Sequence, residues 1–266
     1  ILLDGVSVVP SAGERMSTNT DATHFASCYG KLTLVNCTFE GHGDDAVNVH
    51  NYDHAFTHLS GTRYLLRCLA PDGTHTLAED VPSPGDEMQL IRRGTLDKGE
   101  CYRVHTARAA EGGVEVTFDR PLPPGSERAY YLENASACPD FLFSRCRTRN
   151  HFARSVLIKT RYARVEHSLF EQSDRTEVVG AAEVWWGEGT SSERVEIIHN
   201  VFWECAVRGG AADAVSVCTS SKEGTGEQHG CVVIKDNVVL LFKGRQAFSL
   251  KNVRQTEVEN NVILGG

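Results

Sequence analysis

Short runs in which every second residue is apolar recur along the chain. Alternation in Val47/Val49, Val156/Ile158, Val215/Val217 and Phe248/Leu250 points these side chains inward and their neighbours outward. The segments fall into two sets. One contains Leu32–Phe39, Phe141–Thr148, Val165–Phe170, Val195–Phe202, Val233–Val239 and Val258–Ile263. Aligned, they share a column of small or amide side chains just before a final bulky residue: Cys37, Cys146, Ser168, Asn200, Asn237 and Asn261. The other set contains Thr23–Ser27, Ala46–Asn51, Ser155–Thr160, Glu177–Gly180, Ala214–Thr219 and Ala247–Asn252. From Cys146 onward the column advances by 22, 32, 37 and 24 residues. A minimum step with added loop length predicts the coils of a parallel β-helix, which accept insertions on one face. A sandwich of short strands would not repeat the identity of a column.

The step from Cys37 to Cys146 is far longer than one coil. Removing one coil of ~23 residues leaves an excess between Tyr52 and Ala137. This stretch predicts strands of its own at Tyr64–Cys68, Glu87–Ile91, Glu100–Thr106 and Gly113–Phe118. Turn signals separate them: Pro71-Asp72-Gly73, Pro84-Gly85, Leu96-Asp97-Lys98-Gly99 and Pro123-Pro124-Gly125. The expected architecture is all-β: a right-handed parallel β-helix over 1–51 and 138–266, with a small β-barrel inserted at 52–137.

Composition narrows the class. The chain has 266 residues, 41% apolar and 23% charged, as in a globular protein with a sizeable core. A net charge of −8 without a basic run argues against nucleic acid. No apolar run approaches the ~18 residues of a membrane span. The nine cysteines include no CxxC pair and read as small buried filler. The chain opens at Ile1 inside an apolar run and reads as a fragment of a longer protein, secreted or periplasmic. A homo-oligomer is compatible with all of this.

The chemistry gathers in the first coils. Sliding Asn19–Phe25 onto Gly43–His50 by 24 residues sets Asp21 on Asp45, Ala22 on Ala46 and Phe25 on Val49. Strands on neighbouring coils lie about 4.8 Å apart, so Asp21, Asp44 and Asp45 crowd one patch and raise one another's pKa. The next coil brings Arg154 beside Asp45 and Lys159 beside His50, with His24, Asn48, His50 and Lys159 sharing the outward parity. The cations either bind substrate oxygens or neutralise the aspartates, and His24 either binds or packs. Trp185, Trp186 and Glu188 lie in a Gly-flanked loop. They offer either a sugar platform with a carboxylate grip or a cap on the coil. Two carboxylates that flank a glycosidic bond and leave about 6.5–9.5 Å for a water perform inverting hydrolysis. The rival readings are Ca²⁺ held for an eliminating lyase and a non-catalytic carbohydrate-binding solenoid.

Asn19-Thr20-Asp21 with Gly43-Asp44-Asp45, then Arg154 and Lys159, resembles the polygalacturonases, β-helix hydrolases that invert. A closer resemblance runs through Leu3-Asp4-Gly5-Val6, Ser17–Phe25 and Gly41–His50. It continues in Gly85-Asp86-Glu87, Phe118–Pro123, Arg154–Ile158 and Trp186-Gly187-Glu188-Gly189. It is to the exo-α-1,3-galactosidases of glycoside hydrolase family 110, which include enzymes that cleave blood group B. The resemblance implies a right-handed β-helix with an inserted barrel, no metal or other cofactor, and a glycan substrate ending in α-galactose. It also implies catalysis at Asp21, Asp44 and Asp45. By analogy with polygalacturonases, Asp44 is the acid, while Asp21 and Asp45 hold the water. Asn51 stands where the family leads one to expect glycine, and Lys159 where a neutral residue is expected. The Lys159 ammonium therefore suggests a substrate with an anionic neighbouring unit.

Overall fold

A computed structural model describes residues 1–69, 81–207, 213–218, 227–241 and 245–265. The turn read at Pro71-Asp72-Gly73, Thr219, the glycines 209 and 210, and the loop stretch 220–226 lie outside the described residues.

The described chain is a parallel β-helix with three strand columns. The first is a seven-stranded sheet of Leu2–Asp4, Lys31–Val35, Asp140–Ser144, Tyr162–Glu166, Arg194–Ile198, His229–Lys235 and Val253–Glu259. The second, also seven-stranded, begins at Ser7–Val8 and Thr38–Glu40 and ends at Val238–Leu241 and Val262–Gly265. The third runs Thr23–Ala26, Val47–Ser60, Val156–Ile158, Val178–Gly180, Asp213–Val217 and Gln246–Leu250, parallel throughout.

Each bend from the first column to the second turns on one residue with left-handed backbone. Asn36, Arg145, His167, His199, Asp236 and Asn260 have φ between 49° and 56°. All but Arg145 belong to the types that tolerate this region best. The next residue points inward and completes a ladder. The Cys146 N–H donates to Ser168 Oγ (3.1 Å), Ser168 N–H to Asn200 Oδ1 (3.0 Å), Asn200 N–H to Asn237 Oδ1 (2.9 Å) and Asn237 N–H to Asn261 Oδ1 (3.0 Å). The bend takes these N–H groups out of the sheet, so the side chain below supplies the acceptor that burial demands. Inside the coils Phe39, Phe143, Phe170 and Phe202 stack with centroids 4.8–6.3 Å apart.

The inserted stretch has no break at its start. Val47–Ser60 is one strand of 14 residues, parallel to the coil in its first part and antiparallel to Arg63–Cys68 in its second. A boundary at residue 52 therefore falls inside a strand. Pairing continues through Gly113–Phe118, Lys98–Ala110, Glu87–Arg92 and Tyr130–Asn134, and the last returns to Val47–Ser60 through Leu132↔His54. Tyr130–Asn134 is a strand absent from the sequence reading. These six strands enclose a core of their own around Phe56, Leu66, Met88, Val116, Phe118 and Leu132, separate from that of the coils.

Candidate active site

Register sets the site. Thr23 pairs with Val47, and Val47 with Val156, so the residues two positions earlier, Asp21, Asp45 and Arg154, lie on consecutive coils. The Asp45 N–H donates to Asp21 Oδ1 (3.1 Å). Asp44 sits on a tight turn: a Cβ on Gly43 would lie 2.6 Å from the Asn19 carbonyl oxygen, so only glycine lets the two loops meet. One oxygen from each of Asp21, Asp44 and Asp45 lies within 4.8 Å of the others.

These side chains open into a pocket of about 370 Å³. Thr20, Asp21, His24, Asp44, Asp45 and Asn48 wall it from the first two coils, and Arg154, Glu183, Trp186 and Glu188 from later ones. Arg154 grips Asp45 with two parallel bonds, Nε to Oδ1 (2.7 Å) and Nη2 to Oδ2 (2.9 Å), and reaches Glu183 through Nη1 (2.9 Å). This fork is the geometry guanidinium favours.

The three aspartates differ in setting. Burial pushes the Asp21 carboxyl up, but the hydrogen bond and charge of His24 outweigh it and hold it below its ordinary value. His24 Nδ1 stands 2.8 Å from Asp21 Oδ2, and that bond in turn raises the His24 pKa. Burial, then the charge of Asp21, lifts Asp44. Burial lifts Asp45 to about 6 even against Arg154. Arg154 is itself raised, its charge secured by Asp45 and Glu183 over the cost of burial. The pair is thus ionised at neutral pH.

Other residues singled out in the sequence lie beneath the pocket. His50 and Lys159 each follow the paired residues Val49 and Ile158 and share outward parity, yet both are buried: Tyr52 meets His50 edge-on, and Glu183 and Glu188 close over the Lys159 ammonium. The Lys159 Nζ donates to Glu183 Oε2 (2.8 Å) and to Glu188. It does not line the pocket, contrary to the expectation that it meets an anionic unit of the substrate. Burial lowers the His50 pKa to about 4. Of the tryptophans, Trp186 lines the pocket and Trp185 does not, although both are about half exposed. Their turn, Val184–Trp186, ends at Gly187 with φ 68°, where a Cβ would run into the Leu69 carbonyl. Glu188 and Gly189 then pair antiparallel with Tyr52 and Asn51, docking the loop on the strand that leads into the insertion.

Glu183 is the residue the sequence reading missed. It is buried and bonded to both cations, which hold its pKa down against burial. No period marks it: these coils are offset by 22 residues, Val156 pairing with Val178, so Lys159 falls level with Ala181 and Glu183 lies beyond the strand Val178–Gly180.

No family model matches the chain. Alpha-1,3-galactosidase B of Akkermansia muciniphila is 30% identical over 207 residues, covering 74% of this chain and 25% of the relative. Alpha-1,3-galactosidase A of Bacteroides fragilis is 27% identical over 242 residues, 88% of this chain and 39% of the relative. That of Shewanella woodyi is 25% identical over 274 residues, 99% and 44% respectively. The chain thus spans less than half the length of these curated relatives.

Proposed function

Because the chain belongs to the alpha-1,3-galactosidases of glycoside hydrolase family 110, we propose that it carries the catalytic centre of an exo-acting hydrolase. The enzyme releases terminal α-1,3-linked galactose with inversion. The observation that carries this reading is three aspartates from adjacent coils in one pocket, each in a different electrostatic setting.

Asp44 is the general acid by analogy with the polygalacturonases; burial and the charge of Asp21 raise its pKa, which is the direction an acid needs. Asp21 and Asp45 are each oriented by donors, Asp21 by His24 and the Asp45 N–H, Asp45 by Arg154. Held in this way they orient a water and take its proton as it attacks C1. Trp186 offers a sugar face, and Asn48 and Glu188 offer hydroxyl partners.

The test is proton NMR of an α-1,3-galactoside digest, with galacturonan in parallel. β-Galactose is expected first. Early α-galactose refutes inversion, and cleavage of galacturonan alone favours the polygalacturonase reading. Asp21→Asn, Asp44→Asn and Asp45→Asn should each lose about 10²–10⁴-fold in kcat/KM. Near-normal turnover in two of them overturns the assignment.

A further inference from the structure

Beside the aspartates, two imidazoles meet head to head. His24 Nε2 and His50 Nε2 share a hydrogen bond at 2.6 Å, whose proton a bound ion would displace, and Glu188 Oε1 lies 3.6 Å from His50 Nε2. One nitrogen or oxygen of each residue falls within 4.8 Å of the others. We propose that His24, His50 and Glu188 form a binding site for a borderline divalent transition-metal ion of the Zn²⁺ class, and that its occupancy blocks the pocket.

The outer contacts are those of a built site. Metal-binding histidines characteristically give their second ring N–H to a carboxylate or a backbone carbonyl, which fixes the ring and the tautomer. His24 Nδ1 faces Asp21 Oδ2 at 2.8 Å, and His50 Nδ1 faces the Asn51 carbonyl at 2.9 Å. Both Nε2 atoms are thereby turned toward one point. Glu188 is held through its other oxygen by Lys159, which leaves Oε1 toward the histidines. Two imidazoles with one carboxylate suit Zn²⁺ and its neighbours in the first transition row, whereas Ca²⁺ and Mg²⁺ prefer all-oxygen sites.

Two nitrogens bound to one zinc at about 2.0–2.1 Å stand roughly 3.0–3.4 Å apart, so the rings must part slightly. His50 is buried, while the His24 side chain is 45% exposed, so the small displacement falls on His24. The Lys159 ammonium, bonded to Glu188, opposes a second cation and weakens the affinity relative to a closed structural site. The ion is no cofactor of the hydrolysis. It would occupy His24 and Glu188 at the pocket wall beside Asp21, so Zn²⁺ inhibits and chelator restores. That inhibition rests on the galactosidase reading, but the binding does not.

Co²⁺ titration of the protein, followed by visible absorption and by calorimetry without sugar, tests the site directly. One equivalent is expected, without the near-ultraviolet band of a cobalt–thiolate bond that the free cysteines would produce. His24→Ala, at a half-exposed position, should weaken binding about 100-fold or more, and Asp21→Asn should weaken it about 10–100-fold as loss of an outer partner does. Binding that is unchanged in His24→Ala, that carries the thiolate band, or that is absent at millimolar Co²⁺ overturns the proposal. Binding with these properties in a protein that hydrolyses no galactoside upholds the metal site and refutes the proposed activity alone.

Discussion

The Lys159 ammonium has no solvent exposure and lies between two carboxylates, Glu183 and Glu188. Removing one member of a buried ionic group leaves uncompensated charge, which costs about 3–5 kcal/mol. Lys159→Ala should therefore lower the urea midpoint by that equivalent, and kcat/KM should fall alike on neutral and anionic galactosides. A variant as stable as the parent, or a loss confined to anionic substrates, would show that the ammonium serves the substrate instead. Asp45 sets a pH limit. Its carboxyl is raised to about 6, so the ionised form to which the proposed mechanism gives the water is lost as pH falls through that value. The kcat/KM profile should decline below about pH 6. Arg154→Ala withdraws the charge that opposes the rise and should move this limb to higher pH. An unchanged limb would place the titrating group elsewhere.

At the scale of the coil, the ladder at the bends carries a specific cost. Asn237 is fully buried, accepts from the Asn200 backbone and donates from Nδ2 to the Ile197 carbonyl (2.9 Å). Asn237→Ala leaves both partners without a bond, at roughly 1–3 kcal/mol for each buried group. A loss of about 2–6 kcal/mol in chemical denaturation is expected, and a loss under about 0.5 kcal/mol would mean that the coil closes its bend without the ladder. This column was legible in the sequence for a physical reason. Every coil makes the same left-handed bend and exposes the same N–H, so the same small or amide acceptor recurs. The six-stranded insertion repeats nothing, and Tyr130–Asn134 has no counterpart from which to recognise it as a strand.

Over the whole molecule the insertion and the coils share material. Val47–Ser60 belongs to both, Arg161 bonds Glu133 (3.0 Å), and Lys98 bonds Glu193 (2.6 Å). Independent units need independent strands, and these share Val47–Ser60. Calorimetry should show one cooperative unfolding transition, whereas two resolved transitions would show that the insertion folds apart from the coils.

The sequence by itself determined the coil, its bends and the register that sets Asp21, Asp45 and Arg154 on consecutive turns, because parity and period act through neighbours one coil apart. Only the tertiary structure decided which outward residues reach solvent. His24 and His50 share a parity, as do Asn48 and Lys159, yet His24 is exposed while His50 is buried against Tyr52 and Lys159 beneath Glu183 and Glu188. Glu183 likewise entered the site through contacts with Arg154 and Lys159. Periodicity states the direction of a side chain from its own strand. What lies above it is set by segments distant in sequence.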